Sequence, residues 1–239
     1  MRILHVSDFH YHRPWFDWLA AQAADYDAAC LTGDLLDMLR LATTDGLRPQ
    51  SKWVRGWLAT WPAKTLLFVC SGNHDWWPKS EHVVDNDMEG GWLKKARRPN
   101  VVFVDGDTTK LDEYRIVCTP WAHKPEIHAG SPSVVLCHAP PEGTSVSADL
   151  GREVGDSEVL QAAWALPRGS LILSGHIHNP RRWYARVNNT WCFNPGYDAN
   201  AKAPNHIVID LSARTACFHG WGHDLGPIHL PHEPTRVSR

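Results

Sequence analysis

Arg2-Ile3-Leu4-His5-Val6-Ser7, followed directly by Asp8-Phe9-His10, is the stretch from which the fold is read. Residues 2–7 form an apolar, β-branched run of strand character, and polar residues stand immediately past its end. From Trp15-Phe16-Asp17-Trp18-Leu19-Ala20 to residue 26 the chain is Ala-rich and helical; residues 28–32 are a second short apolar run, closing on Gly33-Asp34. Trp53, Val54, Trp57, Leu58 and Trp61 mark a helical stripe over 51–61. Residues 65–70 are a third strand, followed by Gly72-Asn73-His74-Asp75. This βαβαβ order predicts a parallel sheet with helices on its faces.

Downstream the chain is richer in strands. Residues 101–104, 114–119, 133–137, 170–174, 182–187, 190–193, 206–210 and 214–219 all read as strands, with one helix at 156–165. Hairpins are expected at Asn188-Asn189 and around Ser212-Ala213. Crossover units followed by hairpins predict an α/β (α+β) protein of two sheets packed face to face with helices outside. From about residue 224 three prolines and no periodic pattern predict an extended or disordered tail. The expected division is a domain over 1–223 and a tail over 224–239.

Composition sets bounds. The 239 residues are 43% hydrophobic and 21% charged, enough for one large domain or two small ones with a real core. A formal net charge of -2 supplies no bulk basic field for nucleic acid or anionic membrane, although a local patch fits within a neutral total. No apolar run is long enough to span a bilayer, and the residues after Met1 read as a strand rather than a signal peptide. Cys30, Cys70, Cys118, Cys137, Cys192 and Cys217 include no Cys-x-x-Cys pair. Most lie in apolar runs, which predicts reduced, buried thiols and a cytoplasmic protein.

The chemistry sits at the strand ends. Asp8 and His10 follow the first strand, Asp34 the second, Asn73 the third; His138 ends 134–137, and Gly175-His176-Ile177-His178 follows 171–174. Ligands in open α/β sheets bind outside the carboxyl ends of strands, so these residues are expected to converge. Carboxylate and imidazole donors suit Mn²⁺, Fe, Zn²⁺, Co²⁺ or Ni²⁺. Asp8, His10, Asp34, Asn73, His138, His176 and His178 are too many for one ion, since a catalytic zinc takes about three protein ligands. Two ions bridged by one carboxylate, with Asp34 the natural bridge, are expected about 3.5–4 Å apart. Gly-His-x-His alone would arise by chance about once in fifteen chains of this composition; the ordered set of blocks is the stronger signal.

Asp8-Phe9-His10, Gly33-Asp34-Leu35-Leu36-Asp37, Gly72-Asn73-His74-Asp75, His138 and Gly175-His176-Ile177-His178 together resemble the calcineurin-like metallophosphoesterase superfamily, in its block order. The resemblance implies a four-layer αββα sandwich and a hydrolase of phosphoric ester bonds. It implies that Asp8, His10, Asp34 and His178 hold one ion, and Asp34, Asn73, His138 and His176 the other. It makes His74 the non-ligand histidine that contacts the phosphoryl oxygens or protonates the leaving group, with Asp37 and Asp75 as supports. Asn194-Pro195-Gly196 resembles the family's Pro-Gly segment. Water on the metal, with its pKa lowered toward neutrality, would attack phosphorus in line while His74 offsets charge. Asp75 is expected to take part by accepting the other N–H of His74.

The substrate expected is a small phosphodiester, in preference to a phosphomonoester. The branch that dephosphorylates proteins carries Glu where Asp75 stands and an Asp-Arg-Gly segment lacking here. A metal-binding scaffold without turnover and a nuclease are the alternatives; the first is disfavoured by the intact ligand set and His74, the second by the near-neutral charge. No residue is singled out for substrate binding. Trp76 and Trp77 are read as loop packing before base stacking, as are Trp121 and His123, and His12 as an outer or surface residue. Cys137 is read as a buried thiol, Lys94-Lys95-Arg97-Arg98 as a helix surface, and His223, His229 and His232 as solvated. Segments 35–50, 76–99 and 139–155 are expected to form the rim that selects substrate.

Overall fold

A computed structural model describes residues 1–38, 46–76, 91–149 and 152–231. The elements begin β1 (Arg2–Val6), α1 (Arg13–Gln22), β2 (Ala28–Thr32), α2 (Leu47–Ala59), β3 (Leu66–Cys70) and α3 (Gly91–Lys94). Next come β4 (Val102–Phe103), β5 (Thr108–Leu111), β6 (Tyr114–Cys118), β7 (Ser133–Leu136), β8 (Ala148–Asp149), β9 (Arg152–Glu153) and α4 (Ser157–Ala165). The chain then runs through β10 (Leu171–Leu173), β11 (Tyr184–Val187), β12 (Thr190–Phe193), β13 (His206–Asp210), β14 (Thr215–Gly220) and β15 (His223–His229).

Two large mixed sheets result. One has the order β15-β14-β13-β1-β2-β3-β4, the other β11-β12-β10-β7-β6-β5. The run β1-β2-β3-β4 is parallel, as expected from the opening repeat, and β6-β7-β10-β12 is its parallel counterpart. Period-2 alternation sends Leu4, Val6, Ala29, Leu31, Leu67 and Val69 to an outer face, where Trp15, Phe16, Leu19, Val54, Trp57 and Leu58 of the helices cover them. The opposite residues, Ile3, Ala28, Cys30, Phe68 and Cys70, meet Val134, Leu136, Leu171, Leu173 and Phe193 between the sheets. Val159 and Ala163 of α4 pack on Val135 and Ile172 behind the second sheet. These are the four layers of the expected αββα sandwich.

Local physics sets the element ends. Asp156 caps α4 by accepting from the amides of Glu158 and Val159. α1 starts with a proline in its first turn, where the missing N–H costs nothing. Asn188, φ 51°, turns the β11–β12 hairpin where Asn188-Asn189 was expected to. The helix expected over 51–61 begins earlier, at Leu47, because Gly46 enters it extended and Leu47, Gln50 and Ser51 are buried.

The chain beyond 223 requires a correction. His223–His229 is a hydrogen-bonded strand, paired with β14 across a bulge between Ala216 and Phe218, and Leu230 is buried against the inter-sheet core. Its side chains are largely exposed and it carries Pro227, so no alternating apolar signal marks it; an edge strand tolerates both. Residues 232–239, with His232, lie outside the described residues. No helix among the described residues is long and apolar enough to cross a membrane.

Candidate metal centre

Parallel strands of both sheets end on one edge of the sandwich, and their end residues meet there. The loop after β1 is zipped to the loop after β2: the amides of Asp8, His10 and Tyr11 donate to the carbonyls of Gly33, Asp34 and Leu35 at 3.2, 2.8 and 2.9 Å. The two carboxylates staple further loops. Asp34 Oδ1 accepts the His74 amide at 2.9 Å, and Asp8 accepts the His176 amide at 3.2 Å. Asp8, His10, Asp34 and His176 all adopt left-handed backbone, with φ between 42 and 68°. For such residues this costs about 1–2 kcal/mol each, strain of the kind that clusters at functional sites.

Close approach explains the small residues. A Cβ on Gly72 would sit 2.2 Å from Asp34 Oδ1, and one on Gly175 would sit 1.7 Å from Ser7 Oγ and 2.4 Å from Asp8 Oδ2. The loops can press on the carboxylates only through bare backbone.

All seven expected ligands come together. His178 Nε2 lies 3.6 Å from Asp8 Oδ1 and 3.0 Å from His10 Nε2. His10 Nε2 is 3.9 Å from Asp8 Oδ1 and 3.8 Å from Asp34 Oδ2. His138 Nε2 is 3.3 Å from Asp34 Oδ1 and 3.1 Å from Asn73 Oδ1; His176 Nδ1 is 2.9 Å from the same Asn73 oxygen. Three overlapping groups have donor atoms mutually close enough for one ion: Asp8 with His10 and His178, Asp8 with Asp34 and His138, and Asp34 with His10 and His74.

The donor set fits cations. His138 donates its Nδ1–H to the Thr32 carbonyl at 2.7 Å, so Nε2 is the nitrogen turned toward two further acceptors, Asp34 Oδ1 and Asn73 Oδ1, and on losing its proton it offers them a lone pair. Three lone pairs converging in a buried place call for positive charge among them. Burial opposes charge on His138, yet Asp34, with Asp8 behind it, lifts its pKa to about 9. Burial would likewise raise Asp8, but the His178 hydrogen bond and the charge of His138 hold it below the usual carboxylate range. His176 moves the other way, to about 4, through burial and the neighbouring His138.

His74 is a poised donor. The Met38 amide donates to its Nδ1 at 3.3 Å, which leaves the proton on Nε2, 4.0 Å from Asp34 Oδ2. Here the expected role of Asp75 is corrected. Its carboxylate accepts from the amides of Leu35 (3.2 Å), Leu36 (3.0 Å) and Gly72 (2.8 Å), and the tautomer of His74 is set by Met38 instead. Asp75 therefore ties the second strand-end loop to the third. Burial and the Asp34 charge push its pKa up to about 8, against the pull of the three amides. The Asp37 main chain is bracketed by the Gln50 side chain, which accepts its N–H at 2.8 Å and donates to its carbonyl at 3.3 Å.

Tyr197 carried no motif, while Trp121 and Asn194 do more than the loop packing and Pro-Gly segment expected of them. Tyr197 packs its ring 5.0 Å from His10 and 4.7 Å from His178, and Trp121 lies 5.6 Å from His138 and 5.4 Å from His176, so the imidazoles are walled on two sides. Asn194 donates to the carbonyls of Gly175, Ile177 and Val146 and accepts the Gly196 amide, fixing the loop that presents His176 and His178. Trp76 donates its indole N–H to Ser71 Oγ, while Trp77 lies outside the described residues. His12 packs on Trp15, 4.8 Å between rings. Arg97 pairs with Asp107, and Arg98 donates to the Trp61 carbonyl, which gives two members of the basic run structural partners.

Comparison with known proteins agrees with this geometry. No curated protein sequence matches the chain. Among solved structures, TT1561 of Thermus thermophilus superposes with a TM-score of 0.59 at 15% identity, covering 91% of this chain and 97% of that one. Yfce, a phosphoesterase from E. coli, gives 0.51 at 16%, covering 97% and 100%. Purple acid phosphatase PPD1 from yellow lupin (Lupinus luteus) seeds gives 0.52 at 12%, covering 91% of this chain and 50% of that one. At such identities the likeness is one of fold. The family model for calcineurin-like phosphoesterases matches residues 1–180, three quarters of the sequence and every strand-end block of the metal centre, and the chain belongs to that family.

Proposed function

We propose that the chain hydrolyses a small phosphoester, a diester in preference to a monoester, at a pair of divalent transition-metal ions. The observation that carries this reading is the position of Asp34, whose two oxygens face different imidazoles, Oδ2 that of His10 at 3.8 Å and Oδ1 that of His138 at 3.3 Å. Asp8, His10 and His178 would complete one site with Asp34; Asn73, His138 and His176 would complete the other. The oxygen and nitrogen donors suit Mn²⁺, Fe, Zn²⁺, Co²⁺ or Ni²⁺. Ions bound there would supply a water that ionises near neutral pH and positive charge for the phosphoryl oxygens.

The side chains do the rest. The Nε2–H of His74 donates to a phosphoryl or leaving oxygen, held in that tautomer by the Met38 amide. The rings of Tyr197 and Trp121 pack on the imidazoles and limit how far they can turn. Purified protein supplied with Mn²⁺ should cleave bis-p-nitrophenyl phosphate and p-nitrophenyl phosphate, the first faster, and a chelator should abolish both. Turnover no greater than that of His74→Ala with every metal tried would replace this reading with a scaffold that binds metal without catalysis. Preference for oligonucleotides would make the protein a nuclease.

A further inference from the structure

A cleft of about 490 Å³ has Arg181, Arg182, Thr144 and Ser145 in its lining. It runs on into a second hollow of about 350 Å³ that shares Thr144, Ser145 and Arg182 and adds Arg186. The chain as a whole carries a net charge of -2, so two arginines lining the cleft, with a third in the adjoining hollow, are a local excess. We propose that this cleft is an anion subsite that receives a second phosphate group of the substrate, beyond the ester being cleaved. The inference rests on the phosphoesterase reading above.

Position is the first support. Arg181 is three residues past His178, so their Cα atoms are at most about 11 Å apart. Rigidity is the second. The Arg181 amide donates to the Ala148 carbonyl and the Arg182 amide to the Ser145 carbonyl, both at 3.1 Å, which zips the loop after β10 to the loop after β7. Pro180 before them and Trp183 after them are buried, and Trp183 stacks between Phe193 and Phe218. The arginine backbones are thus fixed while their side chains are exposed.

Charge is the third. Among the described residues neither guanidinium has a carboxylate partner. Glu153 also lines the cleft, but its carboxylate accepts the Gly155 amide at 2.9 Å. Slight burial works against its charge, and hydrogen bonds from Ser147 and Gly155 hold its pKa below the usual carboxylate range. The guanidinium fork matches phosphate oxygens in pairs, and the hydroxyls of Thr144 and Ser145 add neutral donors beside it.

Adenosine 5′-phosphate and adenosine 3′,5′-bisphosphate differ by one phosphate and serve as probes. Calorimetric titration of the metal-loaded protein should show the bisphosphate binding at least about tenfold more tightly. That advantage should shrink in high salt and vanish in Arg181→Ala/Arg182→Ala, and in Ala148→Glu, which adds a further carboxylate to the cleft without removing an arginine side chain. Turnover of p-nitrophenyl phosphate, which has no second phosphate, should stay within about twofold in both variants. Equal binding of the two nucleotides by the wild type, or an advantage that survives both variants, would overturn the subsite. So would a parallel loss of p-nitrophenyl phosphate turnover, which would mean the arginines support the centre itself. Failure of the wild type to turn over any ester strikes the phosphoesterase reading alone, because the calorimetric difference is read without catalysis.

Discussion

Asp34 accepts the His74 amide on one oxygen and faces imidazoles with both. Asp34→Asn removes the charge shared by both donor groups, so elemental analysis should show both ions depleted. Activity should fall by more than about a hundredfold, since even changes to groups behind the ligands cost about 10–100-fold. His178→Ala should deplete one ion only. His74 has a different part to play. Its Nε2 is within ligand reach of His10 and Asp34, yet its proton is on that nitrogen. His74→Ala should therefore keep the full metal content and lose about 10²–10⁴-fold in kcat; a fall in metal content would make it a ligand.

The loops at the strand ends act as clamps, and two substitutions separate clamping from chemistry. Gly175→Ala drives a methyl into Ser7 Oγ and Asp8 Oδ2. Asp8 must move, so metal affinity should drop with the fold retained, as read by calorimetry beside circular dichroism. Asp75→Ala leaves three amides, those of Leu35, Leu36 and Gly72, without their acceptor. Unmet buried donors cost about 1–3 kcal/mol each, so denaturant unfolding should show a loss of about 3 kcal/mol or more. Motif reading alone placed Asp75 beside the catalytic imidazole; adjacency in sequence hid the fact that a 3₁₀ turn over Asn73–Asp75 sends neighbouring side chains to different faces.

Between the two sheets a polar column underlies the centre. His5 Nε2–H donates to Thr32 Oγ1 at 2.9 Å, Thr32 Oγ1 to the Val6 carbonyl, and Ser7 Oγ to the Thr32 carbonyl. Burial lowers the His5 pKa to about 3. The folded protein keeps His5 neutral while the unfolded chain protonates it below about pH 6.5. Stability should thus fall as pH drops from about 6.5 to 3, by up to about 1.4 kcal/mol per pH unit from this group. His5→Gln should flatten that limb, measured by urea unfolding at several pH values; an unchanged slope would place the acid sensitivity elsewhere. Much of the architecture was legible because Asp8, Asp34, Asn73, His138 and His176 each follow an apolar run closely, and the ends of strands that run parallel in a sheet share an edge, three of them in one sheet and two in the other. Tyr197 was not so readable: it touches His10 of one sheet edge and His178 of the other, and the packing of two sheets is encoded in no local pattern. β15 escaped notice because an exposed edge strand has no buried face to impose alternation.

Two ions around one carboxylate is the claim on which the chemistry stands. Crystals grown with Mn²⁺ and measured for anomalous scattering test it directly. The account predicts two peaks per chain about 3.5–4 Å apart, both in contact with Asp34, with His178 on one and His138 on the other. A single peak, or two peaks that do not share Asp34, would contradict it.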